Sequence, residues 1–195
     1  MAERIGVAIG QHLGNYRLIS LLGQGGFAEV YLAEHLHLRT QAAIKVLTTR
    51  LMHDELDIFL REAQTIARLE HPHIVRVLDF GIENDTPFLV MGYAQGGSLR
   101  ARHPKGTSLP LATIVAYVNQ IAAALQYAHD EQVIHRDIKP ENMLLGKRNE
   151  ALLSDFGLAI VMQSTSNQQV LAASGTISYM APVLITGVKS SIVPG

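Results

Sequence analysis

The sequence predicts an α+β fold in two lobes, an antiparallel sheet followed by a helical lobe. Three observations predict it. Short apolar runs separated by turn residues occupy residues 16–91, the signature of a strand meander. The pair Gly96-Gly97 then marks a change of character. Beyond it, Leu111, Ile114, Val115, Val118, Ile121, Ala122 and Leu125 recur at helical spacing.

Taken in order, residues 16–22 read as a strand running into a glycine cluster, and residues 30–33 and 42–47 as two further strands. Residues 57–69 switch to helical spacing, with Phe59, Ile66 and Leu69 on one face and Glu62 on that same face. A carboxylate inside an apolar stripe is costly without a partner, so Glu62 asks for a cation. Residues 74–80 and 87–93 read as two more strands. Pro110 suits the start of the long helix, which the spacing carries to about His129. Residues 143–145 and 151–153 are short apolar runs, each beside a polar cluster, and residues 164–175 have the polar composition of a mobile loop.

Composition narrows the function classes. With 195 residues, 48% of them hydrophobic, the chain can bury a real core. A net charge of -1 gives no global basic field for nucleic acid or an anionic membrane surface. Zero cysteines exclude a disulfide framework and thiolate metal sites, which fits a cytoplasmic protein. The N-terminus lacks the charge pattern and apolar run of a secretory signal. Residues 111–125, interrupted by Thr113, Asn119 and Gln120, read as too short to span a bilayer, so a soluble chain without a membrane segment is expected. Among nine histidines, the pairs His35/His37 and His71/His73 lack a third ligand at fitting spacing for a metal.

Chemistry concentrates in a few motifs. Alone, Gly23-Gln24-Gly25-Gly26-Phe27-Ala28-Glu29-Val30 is a weak signal. Its glycines let a backbone lie close over phosphates, yet a plain turn or a dinucleotide site uses the same letters. The dinucleotide fold needs a helix next, whereas residues 30–33 read as a strand. A Walker-type loop is excluded because Glu141 stands where Gly146-Lys147 would need a first glycine. Lys45 lies in an apolar strand, either snorkelling from an edge or paired with Glu62, and the pairing explains both odd positions. His135-Arg136-Asp137-Ile138-Lys139-Pro140-Glu141-Asn142 crowds cations, carboxylates and a carboxamide into one loop, and Asp155-Phe156-Gly157 ends a later strand. Phosphoryl transfer needs such parts: a carboxylate for the hydroxyl, a lysine for phosphate charge, and oxygen ligands for Mg²⁺.

Together with Ala43-Ile44-Lys45 and the run from Gly175-Thr176 to Tyr179-Met180-Ala181-Pro182, these motifs occur in an order and spacing that resembles the protein kinase family. The resemblance covers residues 16–182 and is strongest to bacterial serine/threonine kinases of the eukaryotic type. It implies an N-terminal tail (1–15), a sheet lobe (16–91), a hinge (92–97), a partial helical lobe (98–182) and an atypical tail (183–195). It also implies ATP and Mg²⁺ as cofactors and proteins bearing Ser/Thr as partners. Gly23, Gly25 and Ala28 would cover the ATP phosphates, Ala28 standing where the family has glycine. Val30, Ala43 and Leu144 would sandwich the adenine, Met91 would be the gatekeeper, and backbone groups at Gly92 and Ala94 would bond the adenine edge.

By the same resemblance Lys45, held by Glu62, would contact phosphates. Asp137 would orient the hydroxyl and accept its proton, and Lys139, which marks the serine/threonine class, would neutralise phosphate charge. Asn142 and Asp155 would hold Mg²⁺, and Thr176 would support Asp137 and Lys139. Arg136 marks kinases switched by phosphorylation, with Ser164, Thr165, Ser166 and Ser174 as candidate acceptors.

The pattern breaks near the end. Ala181-Pro182-Val183 replaces the family's Ala-Pro-Glu, and residues 184–195 show no amphipathic helix. A kinase domain continues past Gly195, so a shifted frame or a gene fragment is expected, and the apolar face of residues 111–125 is expected to lack its usual partner. The alternative to an active enzyme is a truncated, catalytically impaired ATP-binding fragment or regulatory pseudokinase-like module.

Overall fold

The computed structural model describes residues 7–26, 28–48 and 53–156. A six-stranded antiparallel sheet comprises β1 (His12–Leu13), β2 (Tyr16–Gln24), β3 (Ala28–His35), β4 (Gln41–Leu47), β5 (Val77–Glu83) and β6 (Thr86–Gly92). Its spatial order is β1-β2-β3-β4-β6-β5. The strand at His12–Leu13 extends the sheet into residues expected to be a tail, because Leu13 is buried and pairs with Tyr16. The strand expected at residues 74–80 begins only at Val77; Ile74 instead bridges Leu153 in the other lobe.

Strand parity sorts the side chains into two cores. Ala42, Ile44 and Val46 of β4 join Phe88 and Val90 of β6, Tyr31 and Leu18 in one cluster on the outer face. Leu89 and Met91 lie on the opposite face, in a second cluster with Phe59, Ala63 and Ile66. Lys45 is paired with Val30 and Leu89 across the strands, so it shares that inner face.

The helix α1 (His53–Ala67) supplies Phe59, Ala63 and Ile66, and the Phe59 ring lies 5.4 Å from that of Phe80. It starts before the expected residue 57, while Leu69 is reached by a turn closed from Leu69 N–H to the Ile66 carbonyl. The hinge is packed down tightly. Gly96 N–H donates to the Leu145 carbonyl at 2.9 Å, and a Cβ on Gly96 would meet Leu145 at 2.6 Å. Only glycine fits that approach. The short helix α2 (Leu99–Arg102) follows, capped by Ser98 Oγ, which accepts the Ala101 N–H.

The helix α3 (Leu111–Asp130) runs the length that the apolar spacing implied, with Pro110 immediately before it. It buries Ile121, Ala124 and Ala128, and its Gln120 Oε1 accepts the Ala151 N–H at 2.6 Å. At 20 residues it is long and apolar enough to cross a bilayer, which corrects the expectation that the stretch is too short. Its packing places it in the second lobe. Leu111, Ile114, Val115 and Val118 of the same helix are exposed.

The hairpin of β7 (Met143–Leu145) and β8 (Ala151–Leu153) occupies the two apolar runs read from the sequence. β8 ties the lobes together: Val75 N–H donates to the Leu153 carbonyl at 2.9 Å, and Leu153 N–H donates to the His73 carbonyl at 2.8 Å. Leu153 is 0% exposed inside the core shared by α1, α3 and the sheet. Leu153→Ala should therefore lower stability by about 2–5 kcal/mol, read as a shift in urea midpoint. An effect below about 1 kcal/mol would mean that this strand is not the junction of the two lobes.

Candidate active site

The site is assembled where the loop after α3 meets the end of β8. His135 is 1% exposed, and its two ring nitrogens set its tautomer. Nδ1 accepts the Asp137 N–H at 3.2 Å, so Nε2 carries the proton and donates to the Ser154 carbonyl at 2.7 Å. Burial pushes the imidazole pKa below its usual value, against the pull of the Ser154 carbonyl and of Asp155 and Asp137. A neutral ring satisfies both bonds. The Phe156 ring packs on it at 4.6 Å.

The next residue, Arg136, adopts φ 66°, a left-handed conformation that costs an ordinary side chain energy and turns the loop back sharply. This brings the functional groups together. Asp137 Oδ2 receives Lys139 Nζ at 2.7 Å and Asn142 Nδ2 at 2.9 Å. Asn142 Nδ2 also donates to the Asp137 carbonyl at 2.8 Å, so both amide hydrogens are committed and Oδ1 remains to receive a cation. Ser154 clamps the other side, its N–H and its Oγ each donating to the Asn142 carbonyl at 2.9 Å.

Asp155 also sits at positive φ, 63°, and reaches across to the sheet. Its Oδ1 accepts Lys45 Nζ at 2.5 Å, while Ser154 Oγ lies 3.4 Å from Oδ2. Burial alone would raise the Asp155 carboxyl pKa, but the Lys45 ammonium, both as a charge and as a hydrogen-bond donor, outweighs it and holds it below its usual value.

The pairing of Lys45 with Glu62 is not formed. Glu62 Oε2 is buried without a hydrogen-bond partner, and burial raises the carboxyl pKa to about 6 even though the Arg136 cation opposes that shift. Glu62 does lie on the inner face of α1, as its spacing implied. Periodicity sets the face of a helix and says nothing of its distance from a neighbouring strand, and Asp155 has taken the ammonium.

Around this centre, β2 and β3 form the glycine-rich hairpin, with Gly25 N–H donating to the Ala28 carbonyl at 2.8 Å and Gly23 opposite Val30. Ala43 faces Met91 across β4 and β6, on the same inner face as Val30 and Lys45. Leu144 comes from β7 and bridges Ser98 just after the hinge. The N–H of Gly92 donates to the Arg76 carbonyl at 2.9 Å, so that donor of the hinge is committed. Thr176, Gly157 and the candidate acceptors Ser164, Thr165, Ser166 and Ser174 lie outside the described residues.

The donors fit a small hard cation. Asp155 supplies carboxylate oxygens and Asn142 a carboxamide oxygen, joined through Ser154. Mg²⁺ typically takes one or two carboxylates and completes its shell with water and phosphate, so no larger acidic cluster is required. His35 and His71 have structural uses: Nδ1 of His35 accepts the N–H groups of His37 and Leu38, and that of His71 accepts the His73 N–H. Sequence reasoning missed Ser154, whose only signal is a serine between an apolar strand and Asp155.

Comparison with known proteins agrees with this geometry. The family model described as protein kinase domain matches residues 16–192. Serine/threonine-protein kinase PknD of Mycobacterium tuberculosis is 41% identical over 183 residues, which cover 92% of this chain and 27% of the relative. Serine/threonine-protein kinase PrkC of Bacillus subtilis is 36% identical over 171 residues, covering 87% and 26% respectively. Among solved structures, a crystal structure of a mutant PknI kinase domain from Mycobacterium tuberculosis matches with a TM-score of 0.74 at 30% identity, over 95% of this chain and 70% of that one. The chain belongs to the protein kinase domain family. It spans about a quarter of the length of the curated relatives it matches.

Glu62 generates a pH prediction. Its folded-state pKa of about 6 lies above the ordinary 4.5, so the native state binds more protons between those values. Stability is therefore fully present below pH 4.5 and is lost as pH rises through 6. Glu62→Gln lacks that loss. Relative to the parent chain it should gain on the order of 1–2 kcal/mol between about pH 5 and pH 7.5, measured by urea unfolding at both values. An unchanged difference would mean that Glu62 is solvated or paired in solution.

Proposed function

We propose that this chain is a protein serine/threonine kinase module, transferring the γ-phosphate of Mg·ATP to protein hydroxyls. The single observation that carries the reading is the junction of Asp137, Lys139 and Asn142 with Asp155 and Lys45 through Ser154. In this reading Gly23, Gly25 and Ala28 lie over the phosphates. Val30, Ala43, Leu144 and the gatekeeper Met91 surround the base, and the backbone at Gly92 and Ala94 takes its polar edge. Asn142 and Asp155 hold Mg²⁺, which supplies charge neutralisation on the phosphates when bound.

The chemistry follows from the groups. The substrate oxygen forms a bond to the γ-phosphorus while the bond to the β–γ bridging oxygen breaks, releasing ADP. Asp137 holds the hydroxyl and receives its proton, and Lys139 offsets charge on the transferring phosphoryl group. Lys45 turns from Asp155 to the α- and β-phosphates, a move that frees a carboxylate oxygen. Serine/threonine selectivity is supported by Lys139 and by the names of the relatives. A phosphate on Ser164, Thr165, Ser166 or Ser174, received by Arg136, is the corresponding proposal for regulation. A cytoplasmic setting is proposed on the absence of cysteine.

A second reading, nucleotide binding without transfer, is favoured by the Lys45–Asp155 pair and the unpaired Glu62. One experiment separates the two. With ³²P-labelled ATP and a generic protein acceptor, the parent chain should transfer label and Asp137→Asn should lose about 10²–10⁴ of the rate. Both should show a Tm raised by Mg·ATP. A raised Tm without transfer in the parent would establish the second reading.

A further inference from the structure

The glycine-rich hairpin is held by a polar brace on the side of the sheet away from the nucleotide face. Gln24 and Glu29 are directly opposed in the β2–β3 register, flanking the turn that Gly25 N–H closes onto the Ala28 carbonyl. Gln24 Nε2 donates to Glu29 Oε1 at 2.8 Å, and Tyr31 Oη donates to Glu29 Oε2 at 2.6 Å. Both carboxylate oxygens are engaged. Tyr31 is 5% exposed and belongs to the outer core with Leu18, Ile44, Val46 and Val90, so its hydroxyl is a fixed point. Its oxygen also lies 3.1 Å from the Val7 carbonyl, in the segment before β1. Because successive residues of a strand face opposite ways, Glu29 and Tyr31 point outward while Val30 between them points to the nucleotide side.

We propose that Glu29, anchored by Tyr31 and gripping Gln24, is a positioning residue that preorganises the phosphate-covering hairpin and thereby sets affinity for ATP. The physical need is clear from the composition. Gly23, Gly25 and Gly26 give the hairpin more backbone freedom than any other residues would, and ATP must otherwise remove that freedom on binding. A carboxylate bound at both oxygens narrows the ensemble beforehand, and it does so from the rigid core rather than from the ligand. Glu29 and Tyr31 touch neither substrate nor reacting atoms.

The proposal rests on the kinase reading for its consequence, and its test has an arm that does not. In hydrogen–deuterium exchange without nucleotide, Tyr31→Phe, which keeps the ring in the core, and Glu29→Ala should each speed exchange of the Gly25 amide about fivefold. Amides of β4 and β6 should not change. In transfer assays both variants should raise KM for ATP about three- to tenfold with kcat nearly unchanged, the pattern of lost binding rather than lost chemistry. Glu29→Gln, which keeps an acceptor, should fall between them and the parent, and the double variant should be no worse than Glu29→Ala. Unaltered Gly25 exchange overturns the brace. Faster exchange with an unaltered KM overturns its role in ATP affinity. A parent chain that binds no ATP sinks the kinase reading instead, and the exchange arm still decides the brace.

Discussion

One buried polar junction organises the second lobe. The Ser154 carbonyl receives Nε2–H of His135, while the Ser154 N–H and hydroxyl both reach the Asn142 carbonyl. His135 and Ser154 are 1% and 4% exposed, so these bonds are made away from water, where a missing partner costs far more than the bond itself returns. The segment before Asp137, the segment after Lys139 and the segment leading into Asp155 are thereby held against one serine. Neither positive-φ residue, Arg136 or Asp155, would hold its conformation in a loop free to relax. The strain is retained because the junction over-determines the backbone on both sides of it.

The one lysine of the inner sheet face pairs with Asp155, and Glu62 Oε2 is left without a hydrogen-bond partner. Asp155 and Glu62 both require a cation to remain ionised in this partly desolvated space. Lys45 has gone to Asp155 and helps hold that carboxyl below its usual value, while burial raises the Glu62 carboxyl against the opposing Arg136 cation. The two shifts have different causes, the Lys45 ammonium at Asp155 and burial at Glu62.

How much of this was legible in the sequence depended on the range of the interaction concerned. The β7–β8 segments were readable as short apolar runs and the long helix by its spacing, both local properties of the chain, and helical spacing likewise placed Glu62 on the inner face. The grouping of Asp137, Lys139 and Asn142 was legible because the three lie within six consecutive residues of one loop. The Lys45–Glu62 pair was misread because it depends on the separation of α1 from β4, a tertiary quantity with no periodicity behind it. Ser154 was invisible for a different reason. A serine has no motif of its own, and its importance comes entirely from which carbonyls the fold delivers to it. The spacing carried α3 to about His129, one residue short of its end, yet a length judged from residues 111–125 alone understated how far its apolar character extends.

The sheet separates two duties by parity. On β3, Val30 belongs to the inner face and Glu29 and Tyr31 to the outer one. On β4, Ala43 and Lys45 face inward while Ala42, Ile44 and Val46 face out. A side chain on the outer face can therefore influence the site only through the backbone it shares with its neighbours. That route is stiff in the middle of β4, which is hydrogen-bonded on both sides, and soft at the β2–β3 turn, where glycines interrupt the sheet. Outer-face substitutions on β4 should thus act through stability alone, whereas those beside the turn can act on ligand affinity. The brace of Gln24, Glu29 and Tyr31 lies at that soft end, where a restraint from outside has the greatest leverage on what the inner face can hold.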